Sequence, residues 1–168
     1  MGTMKPVEPD WVESGWLRNS ATYEINAAPD RVWALLADAT RWSDWHESLS
    51  MFETVDGGDL GLDVRFRSKE WVFNNEGIMH EWDPGRTVGF TLTAGTFSSV
   101  FSRYSERIEI TPGDSPTTCS VNHSGRIAPT GFGWLLAGYV LGQALGAMYF
   151  DYRASVRNLA ALAEAAEH

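Results

Sequence analysis

His80 and His123 are the residues of this chain that best fit general acid and base catalysis, because an imidazole titrates near neutral pH without special tuning. Glu76 lies on the same predicted strand face as His80, so its carboxylate could orient that ring. No nucleophile is paired with a base at a characteristic spacing. The competing interpretation is that both histidines are hydrogen-bonded structural residues of the core or its rim.

The metal-ligating residue types are too scattered to predict a metal site. The four histidines show no i,i+4 pair and are His46, His80, His123 and His168. Cys119 is the only cysteine, which excludes an intramolecular disulfide and a thiolate-ligated metal, and its neighbours predict a buried thiol. No glycine-rich phosphate-binding loop is present. The sequence therefore predicts neither a metal nor a cofactor.

The candidate catalytic residues lie where apolar and polar residues alternate, which is the pattern of half-buried strands. The first predicted strand ends at Ile25, and six more follow at about 47–55, 61–69, 71–82, 86–94, 98–110 and 117–127. Turn residues separate the strands, among them the Asp-Pro-Gly at 83–85 and the Pro-Gly-Asp at 112–114. We therefore expect a curved antiparallel sheet of seven strands.

Two helical signals accompany the strands. The block YEINAAPDRVWALLADATRWSDW at 23–45 ends a strand and then places Pro29 at a first helical position, ahead of an apolar stripe. A second and shorter helix then carries Trp42 and Trp45. Near the carboxyl end, apolar residues at a period of 3.6 predict one helix from about 131 to 164, of which 135–164 alone span about 45 Å. Such a helix is long enough to cross the whole sheet.

These features resemble the START-like, helix-grip superfamily labelled SRPBCC, and within it the polyketide cyclase/dehydrase branch. The resemblance covers roughly residues 16–166 and is carried by the Ala-Ala-Pro-x-x-Val-Trp helix start, by Asp38 and by the Trp42/Trp45 pair. It implies an α+β fold in which a seven-stranded antiparallel sheet wraps around the long C-terminal helix, with two short helices after the first strand. Residues 1–14 are expected to form a loose lead-in, and 15–168 a single helix-grip domain.

The resemblance places Ile78 on the concave face of the sheet, and alternation then assigns the other inward side chains. On the same strand these are Asn74, Glu76, His80 and Trp82. On the other strands they include Phe66, Phe90, Tyr104, Glu106, Val121 and His123. A mostly apolar hollow with a few convergent polar groups suits a hydrophobic small molecule. A single β-bulge, however, would reverse the face of every residue after it.

The predicted terminal helix carries three glycines at a spacing of four, namely Gly138, Gly142 and Gly146. Each glycine costs about 1 kcal/mol relative to alanine inside a helix, so something should compensate. The missing side chains could leave room for a ligand lined by Trp134, Gly138 and Gly142, with Trp45 and His46 at its entrance, or they could admit a second helix in a homodimer. A membrane span over 131–150 is disfavoured because the apolar stripe continues beyond it.

Composition narrows the partners of this chain. Its 168 residues are 43% hydrophobic and include 8 Trp, 8 Phe and 5 Tyr, enough to fill a single-domain core and line a cavity. A net charge of −9 repels phosphate backbones, so nucleic acid is not an expected partner. The first residues lack a basic start followed by an apolar run, so we expect no secretory signal and a cytoplasmic location.

Three functions compete on this basis. The favoured one is binding of a hydrophobic small molecule, lipid-like or polyaromatic, between the sheet and the C-terminal helix, without chemistry. The second is a cofactor-independent cyclase or dehydratase that uses a cavity histidine as acid or base. The third is a dimerising or membrane-associated interaction protein that uses the apolar back of the terminal helix.

Overall fold

The computed structural model describes residues 2–15, 17–131 and 152–165. Its strands are β1 Gly2–Thr3, β2 Arg18–Ile25, β3 Leu49–Thr54, β4 Arg65–Glu70, β5 Phe73–Asp83, β6 Thr87–Gly95, β7 Phe101–Pro112 and β8 Cys119–Pro129. Its α-helices are α1 Pro29–Ala37, α2 Trp42–Trp45 and α3 Tyr152–Ala165, with 3-10 turns at Pro9–Glu13, Ala39–Arg41 and Thr96–Ser99.

One antiparallel sheet organises the molecule. Its strand order is β2-β8-β7-β6-β5-β4-β3, and the short β1 pairs with β6 outside this path. The two short helices follow β2, and α3 packs against β2, β8, α1 and α2. These findings confirm the predicted α+β helix-grip fold and its order of elements. Of the helix predicted over 131–164, the structure describes α3, while 132–151 lie outside the described residues.

The turn between α1 and β3 is fixed by local hydrogen bonds and by aromatic packing. The carboxylate of Asp38 accepts a hydrogen bond from the backbone N–H of Thr40 at 2.9 Å and so caps the 3-10 turn. The indole Nε1 of Trp42 donates to the carbonyl of Leu36 at 2.9 Å, and its ring stacks on Phe52 at 4.3 Å. Because the buried indole finds a backbone acceptor, the Trp42 side chain packs against the sheet without an unpaired donor.

Strand β5 shows where the predicted facing of side chains is wrong. Asn75, Gly77 and Met79 are the buried residues of this strand, whereas Asn74 is exposed and Glu76 and Ile78 are only half-buried. Alternation needs a reference residue, and β5 has adjacent apolar residues at Ile78 and Met79, so the choice between them decides the facing of the strand.

Cross-strand contacts confirm this assignment of faces in β5. A Cβ built on Gly77 would overlap the ring of Phe66, because the two residues are direct partners on the core side. Glu76 lies on the opposite face, where one carboxylate oxygen is 3.6 Å from the guanidinium of Arg65 and the other 3.6 Å from that of Arg67. We therefore correct the predicted inward position of Asn74, Glu76 and Ile78.

A bulge between Met79 and Glu81 changes the facing again at the end of β5. Trp82 pairs with the fully buried Val88, and its ring lies 5.0 Å from that of Trp33 on α1. Trp82 therefore does face the helices, as the sequence predicted, although it reaches that side only through the bulge.

Part of the outer face of the sheet is covered by the N-terminal segment, which the sequence predicted to be a loose lead-in. Strand β1 pairs with β6 at Ala94 and Gly95, beyond the point where β6 and β7 separate. The backbone N–H of Met4 donates to Thr93 at 2.8 Å, and Met4 and Val12 are buried. The segment therefore packs against the sheet instead of extending away from it.

Candidate functional site

A buried carboxylate lies at the centre of the inner face. Glu106 is 1% exposed and comes from β7, where it pairs with Gly125 of β8. His123 lies two residues before Gly125 and therefore points to the same face. His46 follows α2, and Tyr152 begins α3. The sheet and both flanking helices thus bring side chains to one carboxylate.

Four side chains of the described residues hydrogen-bond to this carboxylate. Its Oε2 atom lies 2.8 Å from Nε2 of His123 and 3.2 Å from Nε2 of His46. Its Oε1 atom accepts from the hydroxyl of Tyr152 at 3.2 Å and also from the hydroxyl of Tyr104. We call Glu106 and these four residues the Glu106 cluster. All five side chains are buried, so the network is shielded from bulk water.

Gly125 makes room for part of this cluster. A Cβ built on Gly125 would overlap the hydroxyl of Tyr152. The absence of a side chain on β8 therefore lets the phenol of α3 approach the sheet closely enough to bond Glu106.

A second buried carboxyl group extends the network on the His46 side. The hydroxyl of Ser48 lies 3.3 Å from Nδ1 of His46 and also hydrogen-bonds Glu70, which is 5% exposed. Burial, together with the negative charge of Glu106, raises the pKa of Glu70 to about 8. Glu70 is therefore mostly protonated at neutral pH, and a continuous polar path leads from it through Ser48 and His46 to Glu106.

The pKa values of the charged members of the cluster are shifted in different directions. Burial alone would raise the pKa of Glu106, but His46 and His123 outweigh burial and hold that pKa well below its ordinary value. For His46 burial lowers the pKa, yet attraction to Glu106 prevails and raises it. For His123 burial prevails and lowers the pKa. The directions of these pKa shifts favour an ionised Glu106, a protonated His46 and a neutral His123.

The two tyrosines remain hydrogen-bond donors throughout the ordinary pH range. Burial, followed by the negative charge of Glu106, raises the pKa of both Tyr104 and Tyr152 well above the usual value. Their hydroxyl groups keep their protons and therefore continue to donate to Glu106.

Two buried polar atoms beside the cluster have no hydrogen-bond partner among the described residues, namely Nδ1 of His123 and Nε1 of Trp45. The Trp45 ring lies 5.4 Å from the ring of His46 and 6.2 Å from that of His123. A neutral His123 that donates from Nε2 to Glu106 carries an unprotonated lone pair on Nδ1. That lone pair can accept a proton from another molecule.

Apart from the β5 residues that the structure places on the outer face, the predicted site residues fall into three groups. His123 and Tyr104 belong to the Glu106 cluster, and Trp45 contacts it. Phe66, Phe90 and Val121 are buried in the core beneath the sheet, as is Trp82 in part. Trp134, Gly138 and Gly142 lie outside the described residues.

His80 does not join His123. It lies at the β5 bulge, with Nδ1 2.6 Å from the carbonyl of Val7 and Nε2 3.3 Å from the hydroxyl of Ser105. Ser105 alternates with the inward Tyr104 and Glu106, so His80 is on the outer face beneath the N-terminal segment. The prediction that His80 faces the hollow is therefore wrong, because the bulge and the shifted facing of β5 were invisible to alternation.

Sequence reasoning named His46 only as part of the entrance, and it missed Ser48, Glu70 and Tyr152 as members of the same site. The available signal was Glu106 itself, a carboxylate on the same predicted strand face as Tyr104, where a charge requires partners. Those partners come from three other parts of the chain, which no local pattern relates to one another.

Among the described residues, no helix is both long and apolar enough to cross a bilayer.

Comparison with known proteins identifies the family. The chain is similar to the solved structure of the protein XoxI from Bacillus cereus. The two sequences are 17% identical, the match covers 90% of this chain and 98% of that one, and the TM-score is 0.67. The chain is also similar to norcoclaurine synthase from Thalictrum flavum, at 14% identity over 90% and 87% with a TM-score of 0.63. These likenesses establish the shared fold.

No protein of curated function matches the sequence. Residues 18–164, however, match the sequence model of the family described as polyketide cyclase / dehydrase and lipid transport. This match spans most of the chain and includes the inner face of the sheet, α1, α2 and nearly all of α3. The chain therefore belongs to the polyketide cyclase / dehydrase and lipid transport family.

Proposed function

We propose that this protein is an enzyme that binds a hydrophobic, carbonyl-containing small molecule between the sheet and the C-terminal helix and catalyses a proton-transfer step of cyclisation or dehydration. The observation that carries the proposal is the His123 ring, whose Nε2 bonds Glu106 while its buried Nδ1 has no partner among the described residues. A histidine whose ring is oriented by a carboxylate is a recurring arrangement in general base catalysis.

His123 would act first. Its Nδ1 atom removes a proton from the carbon next to the carbonyl, and the electrons of that C–H bond form an enolate. The imidazolium produced on His123 is stabilised by the adjacent Glu106, 2.8 Å from Nε2. In a dehydration, the enolate re-forms its carbonyl and its electron pair makes a new C=C bond as the C–O bond to the β-hydroxyl breaks, and the imidazolium gives its proton to that hydroxyl, which leaves as water. The base is thereby regenerated without a cofactor.

The remaining cluster members would position this pair. Tyr104 and Tyr152 hold Oε1 of Glu106, so that Oε2 faces the imidazoles. His46 supplies a positive charge next to Glu106. The family and the fold support a cavity for a small ligand, and norcoclaurine synthase shows that this fold can support synthase chemistry.

Exchange of α-protons in D₂O tests the proposal without knowledge of the natural substrate. The aromatic ketone 2-tetralone is incubated with the protein, and loss of its α-proton signal is followed by NMR. We expect catalysed exchange that falls about 10²–10⁴-fold in His123→Gln. His80→Gln is the matched control and should exchange like the wild type. Equal exchange by wild type and His123→Gln, or none by the wild type, would contradict the proposal.

Binding without chemistry is the second candidate, and the apolar wall of Phe66, Phe90 and Val121 supports it. Native mass spectrometry of protein purified from its own host would detect a retained hydrophobic molecule. A bound molecule without α-proton exchange would favour a carrier over an enzyme. A homodimer through the terminal helix and a cytoplasmic location are separate proposals, which light scattering and cell fractionation test.

A further inference from the structure

Three potential metal ligands converge in the Glu106 cluster. Nε2 of His46, Nε2 of His123 and Oε2 of Glu106 all lie within 4.8 Å of one another. The two distances to Oε2 are 3.2 and 2.8 Å. Around an ion bound by nitrogen and oxygen at about 2.0–2.2 Å, neighbouring ligand atoms are roughly 3 Å apart. The three atoms therefore need only small shifts to share one ion.

Outer hydrogen bonds hold two of the three ligands in place. Oε1 of Glu106 is bonded by the hydroxyls of Tyr104 and Tyr152, which leaves Oε2 for the ion. Nδ1 of His46 lies 3.3 Å from Ser48, whose hydroxyl also bonds Glu70. Ligating histidines and carboxylates in metal sites are oriented by such outer partners. Nδ1 of His123 has no such partner among the described residues.

We propose that His46, His123 and Glu106 form a binding site for a divalent transition-metal ion of the zinc and ferrous-iron class. Two imidazoles and one carboxylate are a ligand set that these ions favour, and three protein ligands leave coordination positions for water or a substrate oxygen. The absence of an i,i+4 histidine pair, which argued against metal binding in the sequence, is no obstacle because the ligands come from separate elements.

Metal binding and the base at His123 exclude each other, a consequence that rests on the proposed function. An imidazole bound to metal through Nε2 carries its remaining proton on Nδ1 and has no free lone pair there. The metal-loaded protein should therefore lose the α-proton exchange of the metal-free protein. The cluster would then have two states, selected by the availability of the ion.

Cobalt provides a readout that does not depend on activity. Protein stripped of metal with dipicolinate is titrated with CoCl₂, and visible absorption is recorded. We expect d–d bands that saturate at one ion per chain, and with ZnCl₂ at 100-fold over Kd a rise in Tm of about 5–10 °C. His46→Gln and His123→Gln should lose both signals, whereas His80→Gln, a histidine outside the cluster, should keep them.

NMR of the unmodified protein covers the case in which a variant fails to fold. Cobalt should broaden the ring signals of His46 and His123 and spare those of His80. Absorption no stronger than that of aqueous cobalt, or equal binding by His46→Gln and His123→Gln, would overturn the metal site. Exchange of 2-tetralone by the stripped protein reports separately on the proposed function, so the two proposals can fail independently.

Discussion

Two histidines on opposite faces of the same sheet show how partners decide what an imidazole can do. His123 bonds a carboxylate through Nε2 and keeps Nδ1 free of described partners. His80 uses both ring nitrogens, one on the carbonyl of Val7 and one on Ser105. The first ring retains an atom for chemistry, whereas the second fastens the N-terminal segment to the sheet.

The charged groups around the two rings also differ in their exposure to water. Beneath the sheet, Glu106 is fully enclosed and is shared by two imidazoles and two phenols. On the outer face, the ion pairs of Arg107 with Glu13 and Glu81 are partly exposed to water. Because water screens exposed ion pairs, the outer network should contribute little energy per pair, and the inner network much more.

Loss of the negative charge of Glu106 should reduce the stability of the fold more than any other change considered. Glu106→Gln removes the negative charge that two imidazoles and two phenols share, so these buried groups lose their charged acceptor, and we expect a loss of about 3–5 kcal/mol in the free energy of unfolding. Urea denaturation monitored by tryptophan fluorescence measures this loss. Glu109→Gln, an exposed position on the same strand, is the control and should change stability by less than about 0.5 kcal/mol. A Glu106→Gln protein as stable as the control would show that the inner network is not the stronger one.

The pH dependence of stability should reveal the raised pKa of Glu70. Its folded-state pKa of about 8 lies above the ordinary value of 4.5, so between these values the folded protein binds more protons than the unfolded chain. Glu70 therefore stabilises the fold least at high pH, and the free energy of unfolding should fall by up to about 1.4 kcal/mol per pH unit in this window.

Urea titrations at several pH values, compared with Glu70→Gln, isolate this contribution. The variant should lack that part of the fall, while Glu53→Gln, on the neighbouring strand β3 and exposed, should follow the wild type. Identical slopes for wild type and Glu70→Gln would mean that Glu70 titrates normally.

Space beside Gly125 offers a geometric test of the inner network. Gly125→Ala should cost about 1–3 kcal/mol, because the added methyl group displaces the hydroxyl of Tyr152. Adding Tyr152→Phe should recover part of this loss, since the overlapping oxygen is then absent. Gly58→Ala, where a Cβ would meet no other atom within 4 Å, is the control. Calorimetric Tm values for the wild type, Gly125→Ala, Tyr152→Phe alone and the double variant would show an additive pattern if the two residues do not touch.

The outer histidine should give the smallest effect. His80→Ala leaves the carbonyl of Val7 without its ring donor, and we expect a loss of about 1 kcal/mol. Hydrogen exchange over residues 2–13 should become faster, while exchange of 2-tetralone should stay unchanged. Slower turnover in His80→Ala would connect the two faces and weaken the contrast between them.

The order of elements could be predicted because it depends on local signals. Pro29 begins a helix, Asp38 caps the next turn, and alternation marks seven strands, all of which the structure confirms. The side of the sheet to which each side chain points was predicted less well. This prediction succeeded for Tyr104 and His123, on strands with one clear apolar side, and failed in β5, where apolar residues occur on both sides and a bulge intervenes.

The sequence by itself determined the helix-grip fold, the family and the presence of a charged residue on an apolar strand face. Only the tertiary structure decided which groups neutralise that charge. His46, His123, Tyr104 and Tyr152 meet Glu106 from positions 2 to 60 residues away. Alternation and helical period relate residues that are a few positions apart in the sequence. The partners of a buried charge are instead the groups that lie close to it in space, and these depend on how the sheet curves around the helix.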